Sequence, residues 1–185
     1  MTRHRRRTAG LAAVAFAVLA FAAGAAKEEV PPIPADLSLT ALDGRKVDFG
    51  ELRGEVVLLD FWATWCKPCR EATPHLVRLH RRMEGKPFVL VGVSADQDRA
   101  ALEAYVAEEE VPWPQIWDGD HRVTAAFGVD SFPSYIVLDH EGRPVSKLTG
   151  WSNTHGRALD REIARHMGRA QRAAKKAERE AAGRR

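Results

Sequence analysis

The fold is decided by residues 56–74, Val56-Val57-Leu58-Leu59-Asp60-Phe61-Trp62-Ala63-Thr64-Trp65-Cys66-Lys67-Pro68-Cys69-Arg70-Glu71-Ala72-Thr73-Pro74. The stretch opens as an apolar run, the pattern of a strand covered on both faces of a sheet. It closes as a helix start, because Pro68 is preset for a first helical turn in which its missing N–H costs little. The two cysteines sit at the junction. A thiol at a helix N-terminus meets unpaired backbone N–H groups and the positive end of the macrodipole, which favour its thiolate. Cys66 is therefore the expected nucleophile. Cys69, one turn later on the same face, is close enough to bond it and more shielded. A zinc site needs four ligands, and the chain has no other cysteine. A purely structural disulfide across so short a loop would constrain little of the unfolded chain. The strand–turn–helix context points to a redox-active pair.

On the N-terminal side, residues 1–26 read as a signal peptide or membrane anchor. Arg3, Arg5, Arg6 and Arg7 precede an alanine-rich apolar run over 9–26 that ends in small residues. Cleavage near Ala25 or Ala26 is the default. The rival is a retained anchor, since the run approaches the roughly 18–20 apolar residues that span a bilayer. Either form predicts an extracytoplasmic domain, in the periplasm or on the outer face of the cytoplasmic membrane, where disulfides form. Arg5-Arg6-Arg7 makes only a weak twin-arginine signal, and no cysteine before Cys66 offers a lipid attachment point. Residues 27–35 form a charged, proline-rich linker, 36–167 the domain, and 168–185 a basic tail. The chain of 185 residues, 45% of them hydrophobic, suits one domain with extensions. Much of the excess positive charge lies at the two ends, which argues against a nucleic-acid-binding core.

The remaining elements follow in order. Asp43-Gly44 between two alternating segments predicts a hairpin ahead of the central strand Val56–Trp62. The active-site helix should run to Met83 with a kink at Pro74. Phe88–Ser94 repeats the buried-strand pattern, and Asp96 or Asp98 should cap a helix over 99–110. Alternating strands and helices argue a parallel sheet covered on both faces. Residues 111–118, with Pro112 and Pro114, predict an extended excursion before a short helix over 122–127. Ser134–Leu138 and Pro144–Thr149 read as an antiparallel edge hairpin. A last helix should begin at Ser152 or Asn153, with Leu159, Ile163 and Met167 on one face. Its basic extension reads either as a solvated helix end or as a contact for anionic lipid headgroups.

The run Phe61-Trp62-Ala63-Thr64-Trp65-Cys66-Lys67-Pro68-Cys69 resembles the active site of the thioredoxin superfamily, in particular its extracytoplasmic TlpA/ResA-like branch. The resemblance covers residues 36–167. It implies an α/β fold with a thioredoxin-like central mixed sheet flanked by helices, plus an N-terminal β-hairpin and a helix-plus-extended insertion. It also implies thiol–disulfide exchange: Cys66 attacks a substrate disulfide and Cys69 resolves the mixed disulfide. Lys67 and Arg70, with Pro68 in the loop, would tune the Cys66 thiolate. Asp60 interrupts an apolar strand, where a bare carboxylate is costly to bury. By resemblance it is the proton acceptor for Cys69; the alternative is an ion pair with a lysine or arginine behind the sheet. Phe132-Pro133 matches the superfamily's cis-proline loop, which would offer the Phe132 backbone to a substrate peptide. Trp65 should be exposed beside Cys66, and Trp62 packed against the sheet.

One position departs from the branch. ResA-like proteins usually carry a glutamate three residues after the second cysteine, and here that residue is Ala72, with Glu71 on a different helical face. The acid function then falls to Asp60, and no specialised cytochrome-maturation substrate is implied. No cofactor is expected beyond the dithiol. The seven histidines show no metal-ligand spacing, and His75 reads as a surface residue. Expected partners are protein disulfides, a membrane electron-donor thiol carrier and a possible inner-membrane tether, with no nucleic acid; the protein should be a monomer. Two rival functions compete with this reading. A thiol peroxidase lacks its proline ahead of Cys66, and a copper-binding chaperone would use Cys66, Cys69 and one histidine.

Overall fold

The computed structural model describes Val30, Ile33, Pro34 and residues 37–183. The segment 1–26 and most of the linker 27–35 lie outside the described residues. A small antiparallel pair, β1 (Ser38–Thr40) and β2 (Lys46–Asp48), leads the domain, with Gly44 at φ 81° in its turn. The main sheet has the order β5 (Gln115–Trp117), β4 (Phe88–Ser94), β3 (Val56–Trp62), β6 (Ser134–Leu138), β7 (Pro144–Thr149). β3, β4 and β5 run parallel, whereas β6 and β7 are antiparallel to their neighbours, so the sheet is mixed. Among the described residues four helices complete the order: α1 (Lys67–Met83), α2 (Arg99–Glu108), α3 (Arg122–Ala126) and α4 (Asn153–Ala182).

β3 is central because every one of its residues is apolar or shielded, and all seven are buried. Alternation sends Val56 and Leu58 to one face, where they meet Ala72, Leu76 and Leu79 of α1 and Leu159, Ile163 and Met167 of α4. Val57, Leu59 and Phe61 face the other way, onto Val47, Phe49 and Phe127. Asp60 shares the parity of Val56 and Leu58 and so points toward the helical layer that contains α1. That placement decides what it can reach.

The sheet departs from the sequence pattern at two places. Ser134–Leu138 is not an edge: β6 lies between β3 and β7, and β7 takes the edge. All five β6 residues are accordingly buried, while β7 is half-buried. The extended stretch after α2 is integrated into the sheet through β5, which pairs with β4. Close approach there requires a glycine. A Cβ on Gly92 would collide with Gln115 Oε1. That amide oxygen in turn accepts the Trp62 indole N–H at 2.9 Å. Gly92→Ala should therefore displace the Gln115 side chain and free the indole. We expect a loss of about 1–3 kcal/mol, read by denaturant unfolding followed through tryptophan fluorescence.

Candidate active site

α1 begins where β3 has just ended, so the Ala63–Cys66 turn presents both cysteines at one end of the central strand. Cys66 is the N-cap of α1, with extended backbone, and its Sγ accepts the Cys69 N–H at 3.3 Å. This supplies the donor that the helix start leaves unpaired, and it does so with sulfur in place of the usual oxygen. Cys66 and Cys69 are joined by a disulfide. Both are largely buried, and Trp65 between the strand and the pair is 66% exposed. Its ring meets Phe132 edge-on at 6.0 Å between centroids. The Phe132–Pro133 bond is cis, and Phe132 packs against the cluster formed by Trp62, Cys66, Cys69, Leu102 and Tyr105. The turn, the cysteine pair and the Phe132-Pro133 loop therefore share one surface.

The charged residues around the pair divide by exposure. Lys67 and Arg70 are exposed. The Arg70 guanidinium lies 5.8 Å from the Tyr105 ring centroid, which holds it along the flank of α1. Lys67, Arg70, Glu71 and Tyr105 line an open cleft on that side. Ala72, at the position where the branch usually has its glutamate, is buried in the core and carries no acid. Glu71 is exposed.

Asp60 is buried, its Oδ1 has no hydrogen-bond partner, and burial pushes its carboxyl up to about 8. Among the described residues no lysine or arginine pairs with it. Its cross-strand neighbour is Tyr135, whose hydroxyl is likewise buried and unpartnered; burial and then the Asp60 charge push that phenol upward. Two buried, unpartnered polar groups side by side on neighbouring strands are an expensive arrangement, tolerated where a proton must be held or moved.

The family model for Redoxin matches residues 25–165. The chain belongs to the Redoxin family. This Redoxin-family chain is a TlpA/ResA-like member of the thioredoxin superfamily. It is 29% identical over 112 residues to thiol-disulfide oxidoreductase ResA of Bacillus cereus, covering 60% of this chain and 65% of the relative. It is 33% identical over 109 residues to thioredoxin-like protein YneN of Bacillus subtilis, covering 58% and 64% respectively. The matches thus span slightly under two thirds of these relatives' lengths. A crystal structure assigned to thiol:disulfide interchange protein DsbE of Chlorobium tepidum superposes with a TM-score of 0.70 at 25% identity. That superposition covers 76% of this chain and 99% of that one.

Several contacts around the α1 start and along α1 were not visible in the sequence. Asp96 is buried. Its carboxylate accepts the Thr64 N–H at 3.0 Å, the Thr64 hydroxyl at 2.6 Å and the Ser94 hydroxyl at 2.6 Å. Asp98, not Asp96, caps α2 through the Ala100 and Ala101 N–H groups. Thr73 contacts Tyr105 through their hydroxyls at 3.1 Å, behind Cys69. His75 is not a free surface residue: Nε2 lies 3.0 Å from Asp160 Oδ1, and its ring packs on Trp151. It ties α1 to α4.

Proposed function

We propose that this protein is an exported thiol–disulfide oxidoreductase that reduces protein disulfides through Cys66 and Cys69. The observation that carries the reading is the Cys66 sulfur in the N-cap position of α1, taking a backbone N–H that would stabilise a thiolate equally well. In the reduced protein the Cys66 thiolate attacks one sulfur of a substrate disulfide. The Cys66–substrate S–S bond forms, the substrate S–S bond breaks, and the departing thiolate takes a proton from water. Cys69 then gives its proton to Asp60 and attacks Cys66 Sγ. The Cys66–Cys69 bond closes, the second substrate thiolate leaves, and two electrons have passed from the dithiol to the substrate. Trp65, Phe132 and Pro133 form the surface on which a substrate segment would lie, with the Phe132 backbone as its pairing partner. Lys67 and Pro68 tune the thiolate.

Export is supported by the arginine-led apolar segment at 1–26. No helix among the described residues is long and apolar enough to cross a membrane. In an extracytoplasmic compartment cytosolic reductases cannot reach the pair, so a membrane thiol carrier must return it to the dithiol state. The test is stoichiometric. Reduced protein mixed with a disulfide-bonded protein under anaerobic conditions should become two hydrogens lighter by mass spectrometry as the substrate gains free thiols. Unchanged masses on both sides would reject the activity.

Asp96 has a positioning role in this scheme, since it fixes the Thr64 backbone two residues before the nucleophile. Asp96→Ala leaves the Thr64 N–H without its acceptor, and we expect about 1–3 kcal/mol of destabilisation by urea unfolding. Asp96→Asn keeps an acceptor for Thr64 and should recover most of it. Attack by Cys66 on a small disulfide should slow in the alanine variant and recover in the asparagine variant.

A further inference from the structure

α4 is longer than its packing requires. Its buried residues, including Leu159, Ile163 and Met167, end at Ala170, yet the helix continues to Ala182. At about 100° per residue these buried positions fall on one side of the helix. The opposite side carries Arg157, Arg161, Arg165, Arg169, Arg172 and Arg179, all exposed. Lys175 and Lys176 fall in the same arc, which is about 120° wide and runs about 33 Å along the axis. Between them in that arc stand Thr154, Ala158 and Gly168, all small.

The acidic residues of α4 are kept out of the stripe. Asp160 and Glu178 fall on one border, Glu162 and Glu180 on the other. Asp160 turns away to His75 and Arg82 of α1. Glu162 meets Arg165, and Glu180 meets Lys176 at 3.8 Å, both as surface pairs. A face that serves only solubility intersperses the two signs. Here they are segregated over the full length of the helix.

We propose that this outer face of α4 docks on a bilayer surface rich in anionic headgroups. Three observations favour a membrane. The stripe is straight and convex, fitting a flat, extended anion surface better than a single bound ion. It has no large apolar side chain to insert, so its contact is with headgroups. In its retained form the apolar run at 9–26 would add a hydrophobic signal, and one such signal joined to a polybasic patch is a combination that gives stable membrane association. The inference does not depend on the redox reading.

The test uses the full chain and vesicles of phosphatidylcholine with or without about one part in four of phosphatidylglycerol. Partitioning onto the anionic vesicles should exceed that onto phosphatidylcholine alone. The excess should fall on the order of 100-fold in Arg169→Gln/Arg172→Gln/Lys176→Gln, each cation near the surface contributing about fivefold. Arg169→Lys/Arg172→Lys should keep it, because the attraction is to charge and not to guanidinium geometry. The run at 9–26 is present in every variant and cancels from the comparison. Equal partitioning on both vesicle types, or an unchanged excess in the glutamine variant, would overturn the proposal.

Discussion

Cys66→Ser should lower protein-disulfide reduction to the uncatalysed background, whereas Cys69→Ser should retain the first attack and accumulate a mixed disulfide with substrate. The asymmetry follows from where α1 starts. Only Cys66 occupies the N-cap, where its sulfur faces a backbone N–H, and the thiolate is the reactive form. Cys69 lies inside the first turn, packed with Trp62, Leu102 and Tyr105, and reaches a disulfide only after Cys66 has brought one to it. A serine at 66 keeps the cap hydrogen bond, so the loss would be chemical and not structural. Non-reducing electrophoresis with a disulfide substrate separates the variants: a covalent adduct is expected for Cys69→Ser and none for Cys66→Ser. Adducts of equal yield in both would reverse or dissolve the assignment of the nucleophile.

Asp60→Asn should spare the attack by Cys66 and slow the resolving step by about 10²-fold or more, the range in which a positioned general base contributes. With its carboxyl pushed up to about 8 by burial, Asp60 becomes a competent base as pH rises through that value. The resolving rate in the wild type should climb with pH and level above about 8, and the asparagine variant should lose this limb. Stopped-flow quenching of Trp62 and Trp65 can follow the two steps. Equal slowing of both would mean that Asp60 shapes the site generally. The same group sets a stability trend. Its folded value lies above its ordinary value of 3.8, so the native state holds the proton more tightly than the unfolded chain. The stability it contributes is full at low pH and is lost as pH rises from about 4 through about 8. Asp60→Asn should therefore be more stable than wild type at pH 9, on the order of a few kcal/mol, with little gain at about pH 4. Thermal unfolding at the two pH values checks the sign.

What could be read in advance was whatever the local pattern determines. The apolar run of β3, the proline-marked start of α1, the Asp43-Gly44 turn and the Ser152 cap all announce themselves within a few residues, and the structure has each in place. Asp60 was visible because a carboxylate in a buried strand is anomalous in any context. Asp96 was not, since an aspartate two residues from Asp98 and just ahead of a helix looks like a second cap. Its contact with Thr64 exists only because β4 pairs with β3, continued by the Ala95 N–H donating to the Trp62 carbonyl at 2.9 Å. The central place of β6 was hidden for a similar reason. Strand order is a tertiary property, and a hairpin pattern reads alike whether one or both of its strands are covered. His75 looked exposed because its partner, Asp160, lies 85 residues away on α4.

The reduction potential of the Cys66–Cys69 pair tests the central claim, a dithiol that gives electrons to protein disulfides, most directly. Equilibrating the protein against defined thiol–disulfide buffers and trapping the fractions with an alkylating agent yields it in one titration. The account predicts a value nearer thioredoxin's, about −270 mV, than that of the strong oxidant DsbA, about −120 mV. Each 30 mV corresponds to about 1.4 kcal/mol for the two-electron couple, so the two outcomes differ by about 7 kcal/mol. A value close to −120 mV would contradict the account and make the protein a donor of disulfides.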